Sequence, residues 1–139
     1  MTYIIHQITP QNLDLLSTVA VDVFDRQINA DLLRNYASAA NALMFVATID
    51  AALVGQIRAH IILHPDQPSE LYIENLGVTP AHQRRGLARA LITALLDLAR
   101  SRGISDVYVA TEPDNKIAQA VYVAMGWQAS SATFFSGKC

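Results

Sequence analysis

Three groups of residues in this chain have the types and spacing to do chemistry. The first is Gln83-Arg84-Arg85-Gly86-Leu87-Ala88, a turn that leads into a run of apolar residues at helical spacing. Gly86 and Ala88 remove side-chain bulk where the chain enters that helix. The first amides of a helix have no internal partner, and the aligned peptide dipoles place partial positive charge there. Such a turn holds a phosphate by backbone alone, and Arg84, Arg85 and Arg89 add charge around it. It is not a P-loop, which needs a lysine followed by serine or threonine, and no Gly-x-Gly-x-x-Gly is present. An ordinary strand-to-helix turn with solvated arginines would have the same sequence.

The second group is Asn115, Ala118 and Tyr122, at i, i+3 and i+7 of one short helix, followed by Gly126-Trp127. A tyrosine on a helix beside a cleft serves as a general acid. The competing reading makes Asn115 a helix cap and Tyr122 a core residue. The third is Glu74, in the middle of the apolar strand Leu71-Tyr72-Ile73-Glu74-Asn75-Leu76-Gly77-Val78. Burial disfavours a charged carboxylate, so Glu74 either lines a cleft as a general base or points to solvent from an exposed sheet face. Gly77 marks a bulge or a close backbone approach. His60, His64 and His82 are candidates for a proton relay, with no metal-ligand spacing among them, and His64 reads as an exposed loop residue.

These groups need a scaffold. Tyr3 to Ile8 reads as a strand, and Thr9-Pro10 starts a helix that runs through Phe24 on Leu13, Leu16, Val19, Ala20 and Val23. A second helix covers Ala30 to Ala40, with Leu32, Leu33 and Tyr36 inward. A hairpin follows: Ala42 to Ile49, the turn Asp50-Ala51, then Leu53 to Leu63. Alternation puts Leu53, Gly55, Ile57, Ala59, Ile61 and Leu63 on one face of its second arm, and Gln56, Arg58 and His60 on the other. Residues 64–69 form a loop, Glu70 to Val78 a strand, and Leu87 to Arg102 a long amphipathic helix closed by Gly103. Ser105 to Thr111 is a strand, Pro113-Asp114-Asn115 opens a short helix, and Trp127 to Phe135 supplies one or two last strands. This order describes an α/β (α+β) fold, a mixed sheet covered by helices.

Composition narrows the function classes. A chain of 139 residues, 52% apolar and 16% charged, forms one globular domain spanning residues 1–139. The net charge of −2, without a basic stripe, does not indicate a nucleic-acid partner. No apolar run reaches the ~18 residues of a spanning helix, so no membrane partner is expected. The start of the chain lacks the basic residues of a signal peptide. The single cysteine, Cys139, forms no internal disulfide, which makes a reducing cytoplasm the expected compartment.

Taken together and in this order, the three groups resemble the GNAT superfamily of acyl-CoA N-acetyltransferases. Gln83-Arg84-Arg85-Gly86-Leu87-Ala88 is similar to its pyrophosphate motif, Gln/Arg-x-x-Gly-x-Gly/Ala. Asn115-x-x-Ala118-x-x-Val121-Tyr122 with Gly126-Trp127 is similar to its later motif, where phenylalanine is more usual than tryptophan. The resemblance implies a central sheet of six to seven strands flanked by about four helices, with a splayed parallel strand pair. It implies acetyl-CoA as cosubstrate, with the pantetheine and acetyl carbonyl at Leu76, Gly77 and Val78. The pyrophosphate is expected at Gln83, Arg84, Arg85, Gly86, Leu87, Ala88 and Arg89, and Asn115 further along the cofactor. Tyr122 is then the acid that protonates the departing thiolate.

More narrowly, Ser69 to Leu76 is similar to the corresponding strand of type I aminoglycoside 3-N-acetyltransferases, which carry an acidic residue where this chain has Asn75. Diamine acetyltransferases carry a glutamate that matches Glu74, which makes Glu74 the expected base. The implied activity is N-acetylation of a primary amine of a small polyamine-like or amino-sugar-like molecule. Acetylation of a protein N-terminus or lysine, and a non-catalytic acyl-CoA sensor, are the alternatives. Asp22, Asp25 and Asp31 either pair with a cationic substrate or form a solvated helix face. Phe134 and Phe135 on a last edge strand make a homodimer plausible.

Overall fold

The computed structural model describes residues 2–139, so Met1 lies outside the described residues. Five strands form one sheet in chain order: β1 (Ile4–Gln7), β2 (Ala42–Ile49), β3 (Ala52–Ile62), β4 (Glu70–Val78) and β5 (Val107–Val109). The first four are antiparallel neighbours, and β5 joins β4 in parallel. Three helices accompany them: α1 (Ala30–Ser38), α2 (Leu87–Ser101) and α3 (Lys116–Ala124).

One face of the sheet is covered by α2. Its residues Leu87, Leu91, Ile92, Leu95, Leu96 and Ala99 are buried at helical spacing against Ile57, Ala59, Leu71 and Ile73. Gly55 lets the helix come close, because a Cβ there would stand 3.2 Å from Leu91 Cδ1 and 3.3 Å from Leu87 Cδ2. The other face packs Met44, Val46 and Leu53 against Leu16, Val23, Leu33 and Tyr36.

The structure corrects the sequence reading in five places. The helix expected from Pro10 to Phe24 is a single 3-10 turn, Leu13–Leu16, followed by irregular chain. The reason is a longer-range competitor. Leu53 donates its N–H to Thr18 O, Ala20 donates to Leu53 O, and Asp22 takes a left-handed φ of 63°. Backbone groups spent on β3 are not available to a helix. Leu32 is 68% exposed instead of inward, because Leu33, Tyr36 and Ala37 form the stripe of α1 that meets the sheet.

On β3 the alternation breaks at a bulge opposite Ala47 and Thr48. Leu53 therefore faces the N-terminal layer while Ile57, Ala59 and Ile61 face α2, and Leu63 lies outside the strand, exposed. The strand expected over Ser105 to Thr111 holds only Val107–Val109. No strand is assigned to residues 127–139, and Phe134 and Phe135 are exposed. The run Ala129-Ser130-Ser131-Ala132 offers little β-propensity or apolar area. Among the described residues the sheet thus has five strands where six to seven were expected, and three α-helices where about four were.

Candidate active site

The site is organised by β4. Its parallel pairing with β5 covers three residues, Leu71 with Val107, Tyr72 with Tyr108 and Ile73 with Val109. Beyond Ile73, β4 continues to Val78 with β3 on one side and, among the described residues, no strand on the other. Among the described residues no strand takes the backbone groups of residues 74–78 on that side, and Val78 O accepts from Gln83 Nε2.

A bulge sits where this opening begins. Arg58 pairs with Asn75 and Ala59 with Ile73, so Glu74 is an extra residue in β4. The bulge reverses the alternation. Leu71, Ile73, Leu76 and Val78 all face α2, whereas Glu74 and Asn75 both turn to the opposite face. The carboxylate in an apolar strand is thereby kept out of the core. Glu74 Oε2 lies 2.6 Å from His60 Nε2, and Oε1 lies 3.8 Å from the Arg58 guanidinium. Arg58 also lies 5.9 Å from the centre of the Phe24 ring, and the ring of Tyr36 meets that of His60 edge-on at 5.9 Å. The Tyr36 hydroxyl donates to Leu43 O, and burial pushes the Tyr36 phenol well above its usual range.

Gln56 and Gly77 tie this cluster to the N-terminal layer. Gln56 is fully buried, and its side-chain amide donates to Val23 O at 3.1 Å and to Asn75 Oδ1 at 2.5 Å. A Cβ at Gly77 would collide with the Val23 carbonyl, so only glycine allows this backbone contact. The segment beyond Val23 walls two cavities. One, of about 840 Å³, is lined by Leu16, Phe24, Asp25 and Ile28 among others. The other, of about 360 Å³, lies beside the cluster and is lined by Phe24, Asp25, Tyr36, Met44 and Arg58. Of the acidic residues singled out in the sequence, Asp25 lines both cavities, whereas Asp31 pairs with Arg34 on the surface.

The turn before α2 is shaped as its sequence implied. Gly86 caps the helix in the left-handed region at φ 77°, and Arg84 also has a positive φ, 62°. Gln83 does more than line the turn, since its Nε2 donates to Val78 O at 3.0 Å and fastens the turn to the end of β4. Leu87 packs into the core, while Arg84, Arg85, Gly86 and Arg89 are exposed. Among the described residues, Arg84, Arg85 and Arg89 have no salt-bridge partner.

On α3, Asn115 is a true N-cap whose Oδ1 accepts from the amide of Ala118 at 3.1 Å. Tyr122 stacks on Trp127 with ring centres 5.7 Å apart and packs against the α2-side core. That burial raises its phenol pKa, so the group stays protonated through the neutral range. Glu74 and Tyr122 therefore belong to opposite faces of the sheet.

The sequence flagged His60 as a relay but gave no role to Gln56, Arg58 or Tyr36. A signal was available: Gln56, Arg58 and His60 place three polar residues on one face of an otherwise apolar strand. His64, read as exposed, is instead partly buried and holds Glu70 at 2.8 Å. Among the described residues there is no group of three or more His, Cys, Asp or Glu that could hold a metal ion, and no helix long and apolar enough to cross a membrane.

A profile of the acetyltransferase (GNAT) family matches residues 10–127. The mouse protein N-acetyltransferase family 8 member 3 is 32% identical over 108 residues, which are 77% of this chain and 48% of that one. The chain thus spans about half the length of the curated relatives it matches. Among solved structures, an aminoglycoside acetyltransferase from an uncultured soil metagenomic sample superposes with a TM-score of 0.86 at 26% identity, over the whole of both chains. An aminoglycoside acetyltransferase in complex with a CoA-linked bisubstrate analogue superposes at 0.81 and 21% identity, again over the whole of both chains, a likeness of fold.

Proposed function

This chain belongs to the acetyltransferase (GNAT) family, and from that premise we propose that it transfers an acetyl group from acetyl-CoA to a primary amine of a small molecule. The observation that carries the reading is the end of β4–β5 pairing at Ile73 and Val109, while β4 runs on to Val78 beside the Gly86 turn. The residues present fit the cosubstrate. An unpaired stretch of backbone suits an amide-bearing pantetheine arm, and a helix N-terminus with free arginines suits a pyrophosphate.

When bound, acetyl-CoA supplies a thioester whose acyl carbon is open to a neutral amine. Backbone groups of Leu76, Gly77 and Val78 hold the acyl carbonyl and the arm. Gln83, by fastening the turn to Val78, and the amides of Arg84, Arg85, Gly86, Leu87, Ala88 and Arg89 hold the pyrophosphate. Asn115 lies further along, with Oδ1 committed to the helix cap and its amide NH2 left to donate. Glu74, backed by His60 at 2.6 Å, takes the proton that an ammonium must lose before it attacks. Tyr122 keeps its proton at neutral pH because burial raises its pKa, and gives it to the sulfur that leaves. The aminoglycoside acetyltransferase relative supports an amino-sugar-like acceptor, and the glutamate at position 74 a polyamine-like one.

A thiol-release assay with acetyl-CoA tests this against aminoglycosides, polyamines, amino acids and short peptides. Release of CoA that depends on a small amine is the expected result. Release with peptides alone would move the activity to protein acetylation. If acetyl-CoA also failed to raise the melting temperature, the assignment of residues 83–89 to the pyrophosphate would be lost.

A further inference from the structure

We propose that Asn75 determines acceptor specificity: its side-chain NH2, held outward by Gln56, recognises an oxygen atom of the substrate close to the amine that is acetylated. The inference rests on the transfer activity proposed above and narrows its acceptor to oxygen-bearing amines.

Donors and acceptors fix the orientation of both side-chain amides. Gln56 Nε2 stands 3.1 Å from the carbonyl of Val23, and a backbone carbonyl only accepts. Gln56 must therefore present its NH2 at that point. The same nitrogen lies 2.5 Å from the side chain of Asn75, so Asn75 must present its carbonyl oxygen there. The flip of both amides follows from one unambiguous group. The consequence for Asn75 is that its own NH2 is turned away from Gln56. It finds no acceptor among the described residues.

That NH2 belongs to a half-buried residue in the part of β4 that β5 leaves open. The bulge has placed Glu74 on the same face, one residue away. Arg58 stands opposite Asn75 in the register and brings its guanidinium to the edge of the cavity of about 360 Å³. A carboxylate thus lies beside two groups that only donate. An ammonium can only donate as well, so a second ammonium at Asn75 and Arg58 would find no acceptor and one repelling charge. A hydroxyl, ring oxygen or carboxylate accepts from both. The fitting acceptor carries its amine toward Glu74 and an oxygen nearby, as in a vicinal amino alcohol or an amino sugar. An oxygen-free diamine offers Asn75 and Arg58 no acceptor and would have to turn its second ammonium to Asp25 on the same cavity wall.

The test compares trans-2-aminocyclohexanol with cyclohexylamine, which differ by one oxygen. For the unaltered chain, kcat/KM should favour the amino alcohol by about tenfold, the scale of one hydrogen bond. Asn75→Asp keeps the size of the side chain and an oxygen for Gln56, yet removes both donors. Its preference for the amino alcohol over cyclohexylamine should fall by the same factor. Comparing the two ratios cancels the difference in amine basicity, and a melting curve confirms that the variant folds. A preference unchanged in Asn75→Asp would overturn the proposal. A second readout needs no turnover or acetyl-CoA. The ¹⁵N side-chain amide signal that disappears in Asn75→Asp should shift on adding the amino alcohol and stay in place with cyclohexylamine. Equal shifts, or none, would overturn it too. Silence of every amine in the thiol-release assay would instead count against the transfer activity, and the amide signal would still decide the role of Asn75.

Discussion

Between Leu71 and Ile73, β4 has a strand on each side; between Glu74 and Val78 it has β3 alone. The first stretch keeps simple alternation, with Leu71 and Ile73 fully buried under α2. The second starts with a bulge, turns Glu74 and Asn75 to the opposite face, and contains a glycine pressed on the Val23 carbonyl. One strand thus does two jobs. Its doubly paired part anchors the sheet, and its singly paired part is the one to which the proposed function assigns ligand contacts. The division falls at Glu74, the extra residue that interrupts the alternation just past the last pair with β5.

Changing each part of β4 alone separates their roles. Glu74→Gln keeps the shape of the bulge and removes the proposed base, so kcat should fall by ~10²–10⁴-fold with the melting temperature nearly unchanged. Steady-state kinetics and a melting curve on the same sample check both halves of that statement. A large fall in melting temperature would show that the bulge carries stability as well as chemistry.

Leu71→Ala makes the opposite change. It should cost about 2–5 kcal/mol of stability through the lost burial and the cavity left behind, read from urea unfolding. The acetyl-CoA affinity of the folded fraction should stay as it was. A matching loss of affinity would mean that the two parts of β4 are not separable.

The smallest effect concerns the two tyrosines that flank β4 from opposite faces. Burial raises the pKa of both Tyr36 and Tyr122 above the free value of 10.0. In the unfolded chain each loses its proton at lower pH than in the folded one. The stabilising contribution is therefore complete below pH 10.0 and declines as the pH climbs from there toward the raised folded values. Melting temperature followed from pH 9 upward should decline, and the decline should be shallower in a Tyr36→Phe, Tyr122→Phe double variant. Equal slopes would mean that neither phenol stays protonated longer in the folded state.

Much of the scaffold was legible because it rests on local rules. The stripe of α2, the Gly86 turn, the β2–β3 hairpin and the bounds of β4 follow from periodicity and turn chemistry within a few residues. The same holds for Asn115, which caps α3 as its position implied. The family likeness was visible for that reason, since its two motifs are turns at helix starts. What failed locally failed against distant partners. Residues 10–24 have an adequate helical stripe, yet Thr18 and Ala20 give their backbone bonds to Leu53, more than thirty residues away.

Glu74 shows the limit most clearly. Its sequence context allowed either a cleft or an exposed face, and only the register of β4 on β3 decides between them. That register brings His60 and Arg58 to the carboxylate and Gln56 to Asn75. Residue types and short spacings were enough to read the glycine turn before α2 and a sheet packed on that helix. Where the polar side chains point, and which of them meet, depended on one extra residue in a strand pairing, and a pairing is a property of two segments at once.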